Sequence, residues 1–362
     1  MLRILVVEPA GNLWGSERAL LDLLDGLNRS GATEVAVCLP PSTLLEPELR
    51  LREIAVYPYL RYALHLQSRW RRAQAALGVL RASLAFHPDL IYLNQAGVYR
   101  IALPAAVLGG LGIVAHVRLF EDAAYLASCT PSPSRLRGIV AISSAIEQEI
   151  RGQSALAAIP IHKLYDAYAP SATGWKRAAS GRAKRIACVG RIVPIKGQDV
   201  LVSAMAAVRD AHPDVECLMI GDGDPSYMRM VKDTAAPLRD SVKWVGFQSD
   251  VQALLQTCNV LVCPSWREPL GRVVLESWDA GVLPVVFRGS GGASEMLINA
   301  KGGFCYDEQD PAALAQAIIA ALSLGTDERE GMINSGRAWL ASNCDPALYS
   351  NAMIDILGRN AR

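Results

Sequence analysis

Short apolar runs alternate with segments of helical period from one end of the chain to the other. In the first half the runs are "RILVV", "EVAVCL", "DLIYLN", "GIVAHV" and "GIVAIS". In the second half they are "RIACVG", "VECLMIG", "VKWVGF", "NVLVCPS", "LPVVF" and "GGFCY". Unbroken apolar runs of this length suit parallel strands buried on both faces, and their alternation with helices predicts two doubly wound α/β sheets. The longest run, "IALPAAVLGGLGIVA" at residues 101–115, is shorter than the ~20 residues a bilayer span needs. Interrupted by Pro104 and glycines, it reads as a helix, a glycine turn and a strand.

The alternation fails in "APSATGWKRAASGRAKR", residues 169–185, which is rich in small and basic residues and has no apolar period. A boundary there gives one domain over 1–170 and a second over 182–344. A single core rarely grows past about 250–300 residues, so the 362-residue length favours the same division. In doubly wound sheets ligands bind beyond the carboxyl ends of the strands, and with two lobes the expected site is the cleft between them.

Composition narrows the function classes. Hydrophobic residues are 51% and charged residues 20%, which excludes disorder. The net charge of +1 gives no general bias toward nucleic acid, so any basic surface is local. None of the eight cysteines forms a C-x-x-C pair and most sit in apolar runs, which predicts buried reduced thiols and no zinc site. The apolar part of "MLRILVVEPAGN" is too short for a signal peptide and reads as a first strand. The expected location is cytoplasmic, with peripheral attachment to the inner face of the plasma membrane left open.

Three glycine loops follow strands of the second half. In "RIACVGRIVPIKGQDVLVSAM", Arg191 and Lys196 stand between the strand and a helix starting near Gln198, where two cations and free helix N–H groups suit an anion. The plain alternative is a pair of solvated loop residues. In "PSWREPLGRVVLESWDAGVLPVV", residues 264–286, a helix from about Gly271 to Ala280 joins two buried strands. Pro264 and Pro269 hold the loop extended, and Gly271 permits close backbone approach. Glu268 lies in the loop and Glu276 just over a turn inside the helix; a carboxylate suits the paired hydroxyls of a sugar. The alternative has Glu268 stabilising the helix N-terminus and Glu276 exposed. The third loop, "RGSGGASEML", reads by itself as a turn, and Asp310-Pro311 as an N-cap with proline at the first helical position.

In the first half, His116 ends the strand "GIVAHV", with Arg118 and Glu121 beyond, and Trp14-Gly15-Ser16-Glu17 leads from the first strand into a helix that Ser16 is placed to cap. Neither half carries G-x-G-x-x-G after its first strand, nor a Walker A sequence, which argues against a dehydrogenase or a P-loop enzyme.

Taken in order, "VGRIVPIKGQDVL", "IGDGD", "VKWVGFQSDV", "CNVLVCPSWREPLGRVVLESWDAGVLPVV", "GGASEM" and "GGFCYDEQDPAALAQAI" resemble the retaining glycosyltransferases of family 4, of group 1 type and GT-B fold. The first half resembles them more faintly, through "GSE", "PDLIYLNQ", "AHV" and "VAISSAI". The resemblance implies two Rossmann-like domains facing across a cleft. It implies transfer of a hexose from a UDP- or GDP-linked donor to a hydroxyl with retention of configuration, without a metal or other cofactor. A lipid-linked saccharide of bacterial envelope or exopolysaccharide synthesis is the implied acceptor. Arg191 and Lys196 then hold the diphosphate, Glu276 the ribose and Glu268 the donor sugar. Gly271, Arg272 and Gly15 meet the distal phosphate, Phe247 lies in the base-binding segment, and His116 stands near the transferred sugar. The chain departs from the family pattern at Trp14, where a glycine is usual, at Leu270, where an aromatic is usual, and at "HKLYDAY", residues 162–168. Rival readings are a GT-B enzyme of another type, such as a sugar-nucleotide epimerase, and a non-catalytic sugar-nucleotide or polysaccharide-binding protein.

Two segments remain. "DPALYSNAMIDILGRN" reads as an amphipathic helix that, in this fold, crosses back so that 345–362 pack on the first domain. "RYALHLQSRWRRAQAALGVLRA", residues 61–82, carries Arg61, Arg69, Arg71, Arg72 and Arg81 and no acidic residue. Leu66, Trp70, Ala73, Leu77 and Leu80 recur at helical spacing, with Arg69 and Arg72 beside the stripe. The segment reads either as a core-packing helix with a solvated basic face or as a helix that docks on anionic lipid.

Overall fold

The computed structural model describes residues 1–11, 13, 15–60, 68–130, 135–171 and 184–361. They form two compact units, Met1–Ala169 with Asn343–Arg362, and Pro170–Ser342.

The first unit is a seven-stranded sheet of β1 (Leu2–Val7), β2 (Thr33–Leu39), β3 (Ala55–Pro58), β4 (Leu90–Leu93), β5 (Gly112–Val117), β6 (Leu136–Ala141) and β7 (Ile161–Lys163). Every pairing is parallel, in the order β3-β2-β1-β4-β5-β6-β7, so the order reverses between β1 and β4. The five apolar runs are the inner strands. The two strands that the pattern did not predict, β3 and β7, are the edges, where residues such as half-buried Tyr57 and exposed Lys163 replace a continuous apolar run. Residues 101–115 resolve into the end of helix Tyr99–Gly109, a turn at Gly110 with φ 68°, and β5.

Helix Pro346–Asn360 packs on helix Gly15–Ser30, burying Tyr349, Met353 and Leu357 in the same core as Leu20, Leu24 and Leu27. The approach is close enough that a Cβ at Gly26 would lie 1.7 Å from Ser350 Oγ. In helix Arg69–Phe86 the packed face is not the stripe read from spacing. Ala75, Ala76, Val79, Ala82, Ser83 and Phe86 face inward, while Trp70 and Leu77 are exposed. Small residues win the inner face because the backbone runs close: a Cβ at Gly78 would meet Tyr59 Cβ at 2.7 Å. Leu66 and Arg61 lie outside the described residues.

The second unit is a six-stranded sheet of β8 (Arg185–Val189), β9 (Glu216–Ile220), β10 (Val242–Gly246), β11 (Val260–Cys263), β12 (Leu283–Phe287) and β13 (Phe304–Tyr306), which are the six runs seen in the sequence. It too is parallel, in the order β10-β9-β8-β11-β12-β13, with the reversal between β8 and β11. Helix Arg272–Ala280, between β11 and β12, is anchored by Trp278. That indole is fully buried, donates from Nε1 to Gly302 O at 2.8 Å, and fills the space left by Gly336 on helix Thr326–Asn343. Asp310 caps helix Pro311–Ser323 through the N–H groups of Ala312 and Ala313, with Pro311 at its first position. Among the described residues no helix is long and apolar enough to cross a membrane.

Candidate functional site

The point at which strand order reverses in an open parallel sheet leaves a crevice between loops that diverge to opposite sides. In the second unit those loops follow β8 and β11. The chain leaves β8 through Gly190, puts Arg191 in solvent, makes one tight turn over Pro194–Lys196, and enters helix Gln198–Ala211 through Gly197. Gly197 is required twice: its φ is 66°, and a Cβ there would lie 2.2 Å from Pro264 O. This contact holds the β8 loop against the β11 loop. Lys196 Nζ consequently meets Glu268 Oε2 at 2.5 Å, and Ser265 Oγ donates to the same oxygen at 3.0 Å. Burial works against a charged Lys196, but the Glu268 carboxylate outweighs it, so the ammonium is held above the ordinary lysine value.

Glu268 is fixed by backbone as well. Its N–H donates to Ser290 O at 2.6 Å and its carbonyl accepts from Gly292 N–H at 2.8 Å. A Cβ at Gly292 would lie 2.1 Å from Pro269 O. The loop "RGSGGASEML", which alone reads as a turn, is thus the backrest of Glu268. Gly271, with φ 85°, starts helix Arg272–Ala280, whose first-turn N–H groups lack intrahelical partners. One turn in, Arg272 Nε and Glu276 Oε1 are 3.9 Å apart, with side chains 17% and 13% exposed. Glu276 is therefore not the freely solvated residue of the plain alternative. Leu270, where the family pattern has an aromatic, is buried.

The neighbouring loops are locked to these. Ile192 bridges to Gly223, Gly221 N–H donates to Gly246 O at 2.9 Å, and Phe247 N–H donates to Asp222 Oδ2 at 3.1 Å. The Phe247 ring is 61% exposed at this edge. The strand ends of the second unit thus bring Arg191, Lys196, Glu268, Gly271, Arg272 and Glu276 onto adjoining loops, with Phe247 at the rim.

Gly15 and His116 belong to the first unit. Gly15 opens helix Gly15–Ser30 after β1, at that sheet's own reversal point. Ser16 lies inside the first turn, its hydroxyl donating to Glu17 at 2.9 Å, and so is not the cap its position suggested. His116 is fully buried: Nδ1 shares a hydrogen bond of 2.8 Å with Tyr92 OH, and Nε2 is 3.9 Å from Asp166 Oδ1. Burial, then the charge of Arg118, pushes the imidazole well below its ordinary value, so it is neutral. Arg118 binds Asp166 and, through Nε at 2.8 Å and a terminal nitrogen at 3.1 Å, the carbonyl and side chain of Asn94. Asn94 in turn donates to Glu8 at 2.6 Å. Burial and then Glu17 raise the Glu8 carboxyl to about 8, against the lowering effect of Ala10 N–H, Asn94 and Arg118.

Glu8, Asn94 and Asp166 were not singled out from the sequence. A signal existed for the first two, polar residues directly after the apolar runs "RILVV" and "DLIYL" at strand ends. Asp166 lies in "HKLYDAY", where the family pattern fails, and only the fold brings it to Arg118.

Residues 174–339 match the family described as "Glycosyl transferases group 1". Among curated proteins the chain is similar to Spore coat protein SA of Bacillus subtilis, 32% identical over 187 residues, 49% of this chain and 49% of that protein. It is also similar to the GDP-mannose-dependent monoacylated alpha-(1-6)-phosphatidylinositol monomannoside mannosyltransferase of Corynebacterium glutamicum, 30% identical over 201 residues, 53% of this chain and 51% of that one. The chain spans about half the length of these relatives. Among solved structures, HepE of Anabaena in complex with UDP-glucose has the same fold, with a TM-score of 0.83 at 20% identity over 99% of this chain and 100% of that one. Residues 174–339 are thus similar to the group 1 glycosyl transferases, and the two parallel α/β sheets are those of the GT-B fold.

Proposed function

We propose that the chain transfers a hexose from a nucleoside diphosphate sugar to an acceptor hydroxyl with retention of configuration. The observation that carries this reading is the joining of the β8 and β11 loops at the reversal point, which gathers Lys196 held by Glu268, the exposed Arg191, the carboxylate of Glu276 and a glycine-started helix within the family-matched segment. In this reading Arg191, Lys196 and the N–H groups following Gly271 take the diphosphate, Arg272 adds charge at the distal phosphate, and Glu276 accepts from the ribose hydroxyls. Glu268 accepts from a hydroxyl of the donor sugar, and Phe247 offers its ring face to the base. Gly15 and His116 retain the roles the family resemblance implies as proposals of the first unit.

The acceptor oxygen bonds to the anomeric carbon as the bond from that carbon to the diphosphate oxygen breaks on the same face of the ring. The hydroxyl proton passes to the departing diphosphate, which leaves as nucleoside diphosphate. Lys196, Arg191 and the helix N-terminus meet the charge that develops there, so no metal is required. A lipid-linked saccharide is the proposed acceptor, supported by the similarity to a relative named for a phosphatidylinositol mannoside.

The test is to incubate the chain with UDP-glucose or GDP-mannose, with and without a lipid-linked saccharide, in EDTA. Acceptor-dependent release of nucleoside diphosphate and an anomeric signal of the donor's configuration are expected. Isomerised sugar nucleotide without an acceptor points to an epimerase, and binding without turnover to a non-catalytic protein.

A further inference from the structure

The first unit carries an apolar surface that its own core does not use. Along helix Arg69–Phe86, Trp70 is 73%, Leu77 45% and Leu84 63% exposed, and Ala73 is exposed between them. With half-buried Leu80 these residues recur at three- and four-residue steps, so they share one outward face. Helix Tyr99–Gly109 packs beside it on the same sheet and adds Val107 and Leu108, 51% and 72% exposed, to the outer surface of that helical layer. Scattered exposed leucines need no explanation, but an ordered stripe with an exposed indole at one end marks a contact surface.

Charge selects the occupant. From Ala55 to Phe120 the sole acidic residue is Asp89, and its carboxylate already accepts from Arg3 N–H at 2.8 Å. Arg69, Arg71, Arg72 and Arg81 make no ion pair among the described residues. By helical spacing Arg69 and Arg81 border the stripe on its two sides. A second copy docking through the same face would set these arginines against one another with nothing acidic to offset them. An anionic bilayer supplies both an apolar layer for the indole and leucines and a negative surface for the guanidinium groups.

We propose that the outer face of helices Arg69–Phe86 and Tyr99–Gly109 docks the protein on the surface of an anionic membrane, with Trp70, Leu77 and Leu84 entering the headgroup–acyl boundary. The proposal does not depend on the donor reading, because its test needs no turnover.

The intact chain is floated with vesicles of phosphatidylcholine alone and of phosphatidylcholine with phosphatidylglycerol, at low and high salt. Flotation with the anionic vesicles only, lost at high salt, is expected. Each arginine bordering the stripe is worth about fivefold in affinity, so Arg69→Gln with Arg81→Gln is expected to weaken binding about 25-fold. Trp70→Ser with Leu77→Ser is expected to weaken it about tenfold or more. These positions are solvent-exposed, so thermal melts should match the parent; should a combined variant melt early, Trp70→Ser alone replaces it. Equal flotation with neutral vesicles, no flotation, or binding indifferent to both sets of changes overturns the proposal. So does a dimer of the parent that Trp70→Ser with Leu77→Ser converts to monomer, which makes a second copy the occupant.

Discussion

Both sheets reverse their strand order once, between β1 and β4 in the first unit and between β8 and β11 in the second, and both place charged residues there. The two groups are handled in opposite ways. In the first unit Glu8, Asn94, His116, Arg118 and Asp166 are sealed, none more than 4% exposed, with Asn94 bonded to Glu8 and Arg118 bonded to Asn94 and Asp166. In the second unit Lys196 and Glu268 on the loops, and Arg272 and Glu276 at the start of the following helix, keep 12–23% of their side chains accessible where glycines press backbone against backbone. The same topology thus yields a polar cluster that ties strands together and one that still presents charge to a ligand. What separates them is the loop: strand ends in the first unit meet side chain to side chain, and in the second Gly197, Gly271 and Gly292 bring main chains together and leave side chains at the mouth.

The sharpest way to break that contrast is to remove a charge from each cluster. Asp166→Ala leaves Arg118 buried without its carboxylate and is expected to cost about 3–5 kcal/mol in urea unfolding. An unfolding midpoint unchanged from the parent would mean that the sealed cluster does not hold the first unit together. Glu276→Ala is expected to leave the unfolding curve nearly in place while transfer at limiting donor falls by the equivalent of about 1.5–3 kcal/mol. Full turnover by a folded variant would remove Glu276 from the donor site.

His116 tests the boundary between the two behaviours. Removing it takes from the buried Tyr92 hydroxyl its hydrogen bond to the imidazole, a cost of about 1–3 kcal/mol in stability. The catalytic role implied by the family predicts that His116→Ala lowers single-turnover transfer more than nucleotide affinity. A variant whose transfer falls only as far as its folded fraction would leave the histidine a purely structural member of the sealed cluster.

A pH dependence with two opposed parts is also expected. Glu8 is raised from 4.5 to about 8, so the stability tied to its protonated form is complete below 4.5 and is lost as pH rises toward 8. His116 is depressed below 6.5, so its contribution is complete above 6.5 and is lost as pH falls below that value. Glu8→Gln is expected to flatten the loss of stability toward pH 8 and leave the acid side unchanged. An identical profile in the variant would show that Glu8 titrates as an exposed carboxylate does.

Legibility in the sequence followed the same contrast. The inner strands of both sheets were readable because strands buried on both faces must be apolar throughout, as "RILVV" and "NVLVCPS" are. The edges β3 and β7 were not, since an edge strand need carry no such run, although β10 and β13 at the edges of the second sheet did. In the second unit Arg191, Lys196 and Glu268 were visible because each lies a few residues past a strand end, and Glu276 because it lies in the first turns of the helix that follows. The part played by "RGSGGASEML" was hidden, because a loop that props another by main-chain hydrogen bonds leaves only glycines as a trace. The Arg118–Asp166 pair joins residues 48 apart, and no local pattern reveals such a pair. The apolar stripe of residues 70–80 left core packing and lipid docking both open for a related reason: helical spacing shows that a face is apolar, not whether it is buried.

The central claim is that the joined β8 and β11 loops bind a nucleoside diphosphate. Calorimetric titration of UDP and of GDP into the intact chain and into Lys196→Ala, matched by thermal melts, tests it most directly. The account predicts that the parent binds at least one of the two, and that the variant binds it roughly 10- to 150-fold more weakly with an unchanged melt, the equivalent of losing one charged contact of about 1.5–3 kcal/mol. Binding of neither nucleotide by the parent, or equal binding by parent and variant, would contradict it.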